Sequence, residues 1–141
     1  MTPQALYDLA NLAALLGWLP LLLLAPWRRG LAVLAARWAA AILAGAYASL
    51  LVAQFARGTG GMDFATFASI DALAAAFGQP EVLVVGWAHY LAFDLWVGSW
   101  IVEDAGARRI GHPWVAPCLL LTFLAGPVGL LSYLVVRTVR R

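Results

Sequence analysis

The chain has 141 residues, of which 64% are hydrophobic and 11% charged; nine arginines and seven acids give a net charge of +2. A soluble domain averages about 45–50% apolar and about 25% charged residues, and a chain this short has too little interior to hide such a surplus. Composition therefore excludes a soluble enzyme, a nucleic-acid module and a disordered tail, and a mean hydropathy of +0.86 makes lipid the expected solvent.

In chain order, four stretches are apolar enough to predict membrane-spanning helices: about 7–27, 31–56, 81–102 and 113–136. Each must satisfy its own backbone, so the predicted fold class is an all-α membrane protein, a bundle of four transmembrane helices in a single integral membrane domain. The first stretch lacks a basic leader and reads as a span, not as a cleaved signal. It closes at Pro26-Trp27-Arg28-Arg29-Gly30, a tight connection that predicts an antiparallel pair with the second. In the long second connection, Phe64, Phe67, Ile70 and Phe77 recur at helical spacing. They predict an amphipathic interfacial helix over about 64–77, with Asp63 as N-cap and Gly78 as its stop. Four crossings place both termini on one side. The arginines then divide almost evenly between the two faces, with a lean toward the short connections being cytoplasmic. The single cysteine, Cys118, sits in an apolar run and permits no intrachain disulfide.

Ionisable groups at membrane depth are costly, so they point to function. The third span carries Asp94 near its middle, about 15 Å from either surface at 1.5 Å per residue. At 100° per residue, Asp94 shares a face with Trp87, Tyr90, Gly98 and Ile101. His89 is about 140° away around the helix, so the two meet only by flanking one cavity or through a neighbouring helix. Depth matching adds Asn11, Tyr47 and Thr122 to a polar layer. Trp87 and Trp96 offer flat walls for a polyene or cation–π support for a carbocation. Gly126-Pro127 breaks the fourth span at mid-depth. A second group, Arg37, Glu103, Asp104 and His112, reads as a structural ion-pair cluster, with Arg37 paired to one of the two acids. No H-x-x-x-H or E-x-x-H pair occurs, so no metal site is expected.

The run Gly86-Trp87-Ala88-His89-Tyr90-Leu91-Ala92-Phe93-Asp94-Leu95, continued by Val97-Gly98, Trp100-Ile101 and Asp104, resembles the signature of the abscisic-acid-deficient-4-like membrane family. So do His112, the stretch Pro117-Cys118-Leu119-Leu120-Leu121-Thr122-Phe123, and Gly126-Pro127-Val128-Gly129-Leu130-Leu131. Upstream, Asn11, Pro20 and Pro26-Trp27 agree in spacing. The resemblance covers about residues 7–137 and is most specific over 86–131.

The plant members of that family are four-span plastid proteins required to form neoxanthin from violaxanthin, an epoxide opening that yields an allene with no net redox change. The resemblance implies a bacterial member in the cytoplasmic membrane. Its ligand would be a lipophilic small molecule, a carotenoid or related isoprenoid, and no cofactor is needed. The catalytic group would be Asp94 as acid, His89 as base or its orienter, and Tyr90. Asn11, Tyr47, Trp87, Trp96 and Thr122 would contact substrate. Membrane lipids are the expected surroundings, nucleic acid is not a partner, and a homodimer or a larger membrane complex is left open. Two other classes stay open at this stage. One is a non-enzymatic pigment-binding or structural subunit. The other is a metal-dependent desaturase or hydroxylase.

Overall fold

The computed structural model describes residues 1–57 and 65–140 and is all-helical among them. Helix α1 (Pro3–Leu19) starts at Pro3, whose missing N–H costs nothing at a helix start, and the Thr2 hydroxyl accepts from the Ala5 N–H. It passes through a π-helical turn at Pro20–Leu24 into α2 (Ala25–Arg57). Regular helix geometry fails inside α2 at Arg28, with φ −132° and ψ 55°. There the chain doubles back: a Cβ built at Gly17 of α1 would meet Ala39, and Pro3 and Leu6 share a cavity with Gln54 and Arg57. Short α3 (Ile70–Phe77) is followed by α4 (Pro80–Ala107), α5 (His112–Ala125) and α6 (Pro127–Val139).

Pro3–Arg57 and Pro80–Ala107 are each long and apolar enough to cross a membrane. Side chains throughout the described residues are distributed for lipid. Among the described residues nine alanines but four leucines are buried, while fifteen leucines are exposed. Small residues inside let helices approach closely, and large apolar ones outside meet acyl chains. Gly98 of α4 illustrates the packing: the Trp18 ring of α1 lies where its Cβ would be.

The interfacial helix expected over 64–77 is shorter. Helix begins at Ile70, where the Ser69 hydroxyl accepts from the Ala72 N–H at 3.1 Å. Gly78 ends it in a right-handed conformation, φ −66°, not the left-handed one expected of a terminating glycine. Asp63 and Phe64 lie outside the described residues. The Phe77 ring rests against Gly86, pinning α3 to the start of α4.

The one crossing helix expected over 113–136 is not formed. At 14 and 13 residues, α5 and α6 are about 21 and 20 Å long, short of the roughly 30 Å hydrocarbon core. They run antiparallel. The Arg140 guanidinium lies 3.7 Å from the centre of the Trp114 ring, and the Tyr133 hydroxyl reaches Asp104 near the end of α4. In a continuous helix, residues 114 and 140 would be about 39 Å apart. The reversal occurs at Gly126, φ +23° and ψ −85°, and Gly129 packs on the Thr122 backbone just past it. The chain end after α6 therefore lies with the end of α4, not with the start of α1.

Candidate functional site

The tip of the α5–α6 hairpin faces Asp94. A Cβ at Gly126 would overlap the Asp94 carboxylate, so a glycine is what lets the turn close against the acid. Around this contact is a cavity of about 490 Å³ lined by Asn11, Trp87, Tyr90, Asp94 and the tip residues Phe123 to Pro127. Asp94 is half-buried, and its carboxyl has no hydrogen-bond partner among the described residues. Tyr90 and Asp94, one helical turn apart, line the same space.

Asn11 fixes one wall. Its amide donates to the Tyr7 carbonyl at 2.8 Å, and its carbonyl oxygen accepts from Trp87 Nε1 at 3.1 Å. The Tyr7 and Trp87 rings pack with centroids 5.8 Å apart. A second, largely apolar groove of about 680 Å³ follows α1 and α4 away from Asp94, between Tyr7, Pro80, Leu83 and Trp87. Trp87 lines both spaces. From Pro80 to Asp94 they extend about 21 Å along α4. This length is available because the hairpin fills only the half of the bundle beyond Asp94.

Several expected ligand contacts lie elsewhere. His89 points toward α2, its ring 4.6 Å from Phe93 and 5.4 Å from Tyr47 between centroids. Neither His89 nor Tyr47 lines the Asp94 cavity. Asp94 and His89 thus do not line one cavity, as the five-residue offset of about 140° between them leads one to expect. Trp96 lies under the Arg37 guanidinium, 5.2 Å from ring centre to Cζ. Thr122 is fully buried, donates to the Cys118 carbonyl at 2.8 Å, and packs against Gly129. Its hydroxyl is used up inside the hairpin.

At the other end of α4, Arg37 holds Glu103 in a two-pronged contact, 2.6 and 3.2 Å. Asp104 accepts from the Tyr133 hydroxyl at 2.6 Å and from Arg108 Nε at 2.8 Å, with Arg137 at 3.7 Å. His112 is not part of this ionic group. Its Nε2 lies 2.9 Å from the Leu22 carbonyl in the π-helical turn, where it donates to that oxygen. Sequence reasoning missed Tyr133 as the anchor of the hairpin's return arm. The available signal was its place one turn before Arg137. It also missed Phe123 to Pro127 as a cavity wall, although the Gly126-Pro127 pair marked the spot.

The model of the ABA DEFICIENT 4-like family matches residues 5–133. The chain belongs to this family. The match spans every residue lining the Asp94 cavity and the whole hairpin tip. Membership places the chain among neoxanthin-related membrane proteins. No curated protein and no solved structure matches it.

Proposed function

We propose that this integral membrane protein binds a carotenoid or related isoprenoid epoxide in the α1–α4 groove and isomerises it by proton transfer through Asp94. The observation that carries this reading is the unpartnered Asp94 carboxyl in a cavity that shares its Trp87 wall with a second, largely apolar groove. Family membership supports the choice of ligand class.

The chemistry balances with one carboxyl. Neutral Asp94 gives its proton to the epoxide oxygen, and the C–O bond breaks to leave a hydroxyl and a carbocation. The resulting carboxylate takes a proton from the adjacent chain carbon, the C–H electrons form the allene, and Asp94 is neutral again. No oxidant or reductant is consumed. The Trp87 face offers its negative π surface to the cation. Tyr90 orients the oxygen, and Asn11 holds Trp87 in place. His89 takes no part.

We further propose three crossings, by α1, by α2 beyond Arg28 and by α4, together with a re-entrant α5–α6 hairpin, in place of four spans. Of the eight arginines among the described residues, Arg28, Arg29, Arg37, Arg108, Arg109, Arg137 and Arg140 lie at the end holding the hairpin's base; Arg57 alone lies at the other. By the positive-inside rule the arginine-rich end is cytoplasmic. The hairpin supports this reading, because a fourth crossing would move Arg137 and Arg140 to the opposite face.

The test is turnover by purified protein in lipid nanodiscs loaded with an epoxy-carotenoid, followed by chromatography and mass spectrometry. A product of unchanged mass and altered retention supports isomerisation. Pigment retained without change supports the second reading, a binding protein. Failure to retain any polyene refutes both.

A further inference from the structure

A second built cleft lies away from Asp94, between α2 and α4 at the arginine-rich end. It has a volume of about 360 Å³ and is lined by Arg29, Val33, Leu34, Arg37, Glu103 and Gly106, among others. Three features distinguish it from a solvated charge cluster. The Arg29 side chain lies flat on α4, in space that a Cβ at Gly106 would occupy, so glycine holds it in the cleft. Arg29 has no hydrogen-bond or ion-pair partner among the described residues. On the floor, Arg37 is locked by Glu103 and by the Trp96 ring, while its Nε is buried with no partner. Leu34, 53% exposed, gives the cleft an apolar wall between the levels of Arg29 and Arg37.

We propose that this cleft binds the headgroup of an anionic glycerophospholipid. The charges of Arg29, Arg37 and Glu103 sum to +1, which matches one phosphodiester. The free Arg29 fork can donate two parallel N–H bonds to two phosphate oxygens, a geometry that lysine cannot reproduce. The exposed Leu34 beside Arg29 and Arg37 takes the first carbons of an acyl chain. Basic pockets between helices at the cytoplasmic boundary are where such lipids dock. The site rests on the orientation proposed above and is independent of the chemistry at Asp94.

The experiment is native mass spectrometry of the detergent-solubilised full chain, titrated with phosphatidylglycerol, phosphatidylcholine or inorganic phosphate. We expect one phosphatidylglycerol to bind at least about tenfold more tightly than phosphatidylcholine, and Arg29→Gln to remove that preference. Arg29→Lys keeps the charge but loses the fork and is expected to bind between the two. Arg57→Gln, at the opposite end, is expected to leave binding unchanged. Size exclusion and thermal melting establish that each variant is folded. Equal binding of the two lipids, or an undiminished preference in folded Arg29→Gln, overturns the proposal. Displacement of the lipid by millimolar phosphate also overturns it in favour of a free-anion site.

Discussion

Gly126→Ala is the perturbation that reads the hairpin tip most finely. Two penalties fall on this one methyl group. The backbone at φ +23° disfavours any L side chain, at about 1–2 kcal/mol. The Cβ also overlaps the Asp94 carboxylate, and pushing that side chain off its rotamer costs about 1 kcal/mol. Together the expected loss is about 2–3 kcal/mol. Truncating the acid separates the two. In an Asp94→Ala background only the backbone penalty remains, so Gly126→Ala is expected to cost about 1 kcal/mol less there than in the parent chain. The assay is a double-mutant cycle on reversible unfolding in mixed micelles, with all four proteins compared in one lipid and detergent composition. Independent sites add within about 0.3–0.5 kcal/mol. If the two substitutions are additive within that margin, the tip does not close on Asp94 and the cavity described here is wrong.

Other consequences follow from the same geometry. With Cys118 replaced by Ala, cysteines at Trp114 and Arg140 are expected to be joined within one chain by a short bismaleimide, read as a gel-mobility shift; two ends of a continuous helix, about 39 Å apart, are not. Tyr133→Phe removes a 2.6 Å hydrogen bond to a charged acceptor and is expected to lower stability by about 1.5–3 kcal/mol in denaturant titration; a loss under about 0.5 would show that the bond does not hold the return arm. Tyr47→Phe and Trp96→Phe alter side chains outside the Asp94 cavity and are expected to leave bound-pigment stoichiometry unchanged by absorbance. Trp87→Ala is expected to reduce it, and the reverse pattern would move the ligand to the α2 side of α4.

The all-helical class, the early reversal near Arg28 and the isolation of Asp94 were legible in the sequence because they depend on local properties: apolar length, Pro and Arg placement, and the absence of other charges at that depth. The 100° geometry likewise joined Tyr90 to Asp94 and separated His89 from it. The fourth span was misread because hydropathy measures apolar length and not direction. Two arms of about thirteen residues have the same profile as one helix of twenty-four. What distinguishes them is a single backbone conformation at Gly126, and the pairing of Thr122 with Gly129 that follows from it. That error carried others with it. Depth matching placed Thr122 in the polar layer, while the return arm instead turns its hydroxyl inward. It also sent Arg137 and Arg140 to the wrong face, which made the arginine count look balanced. The interfacial helix was drawn too long because its phenylalanine spacing continued past the stronger cap at Ser69.

The reversal also leaves room in a small bundle for the long ligand proposed above. A full fourth helix would pack against α1 and α4 along their whole length. The hairpin tip stops at Asp94, so Trp87 is left lining space on both of its sides, one cavity with the acid and one apolar groove beyond it.

The most direct test is conversion of an epoxy-carotenoid in a producing host by three proteins expressed at equal levels: the parent chain, Asp94→Asn and His89→Ala. The account predicts that Asp94→Asn abolishes the isomerised product while its pigment binding persists, and that His89→Ala converts at close to the parent rate. Full conversion by Asp94→Asn, or loss of conversion confined to His89→Ala, would contradict it.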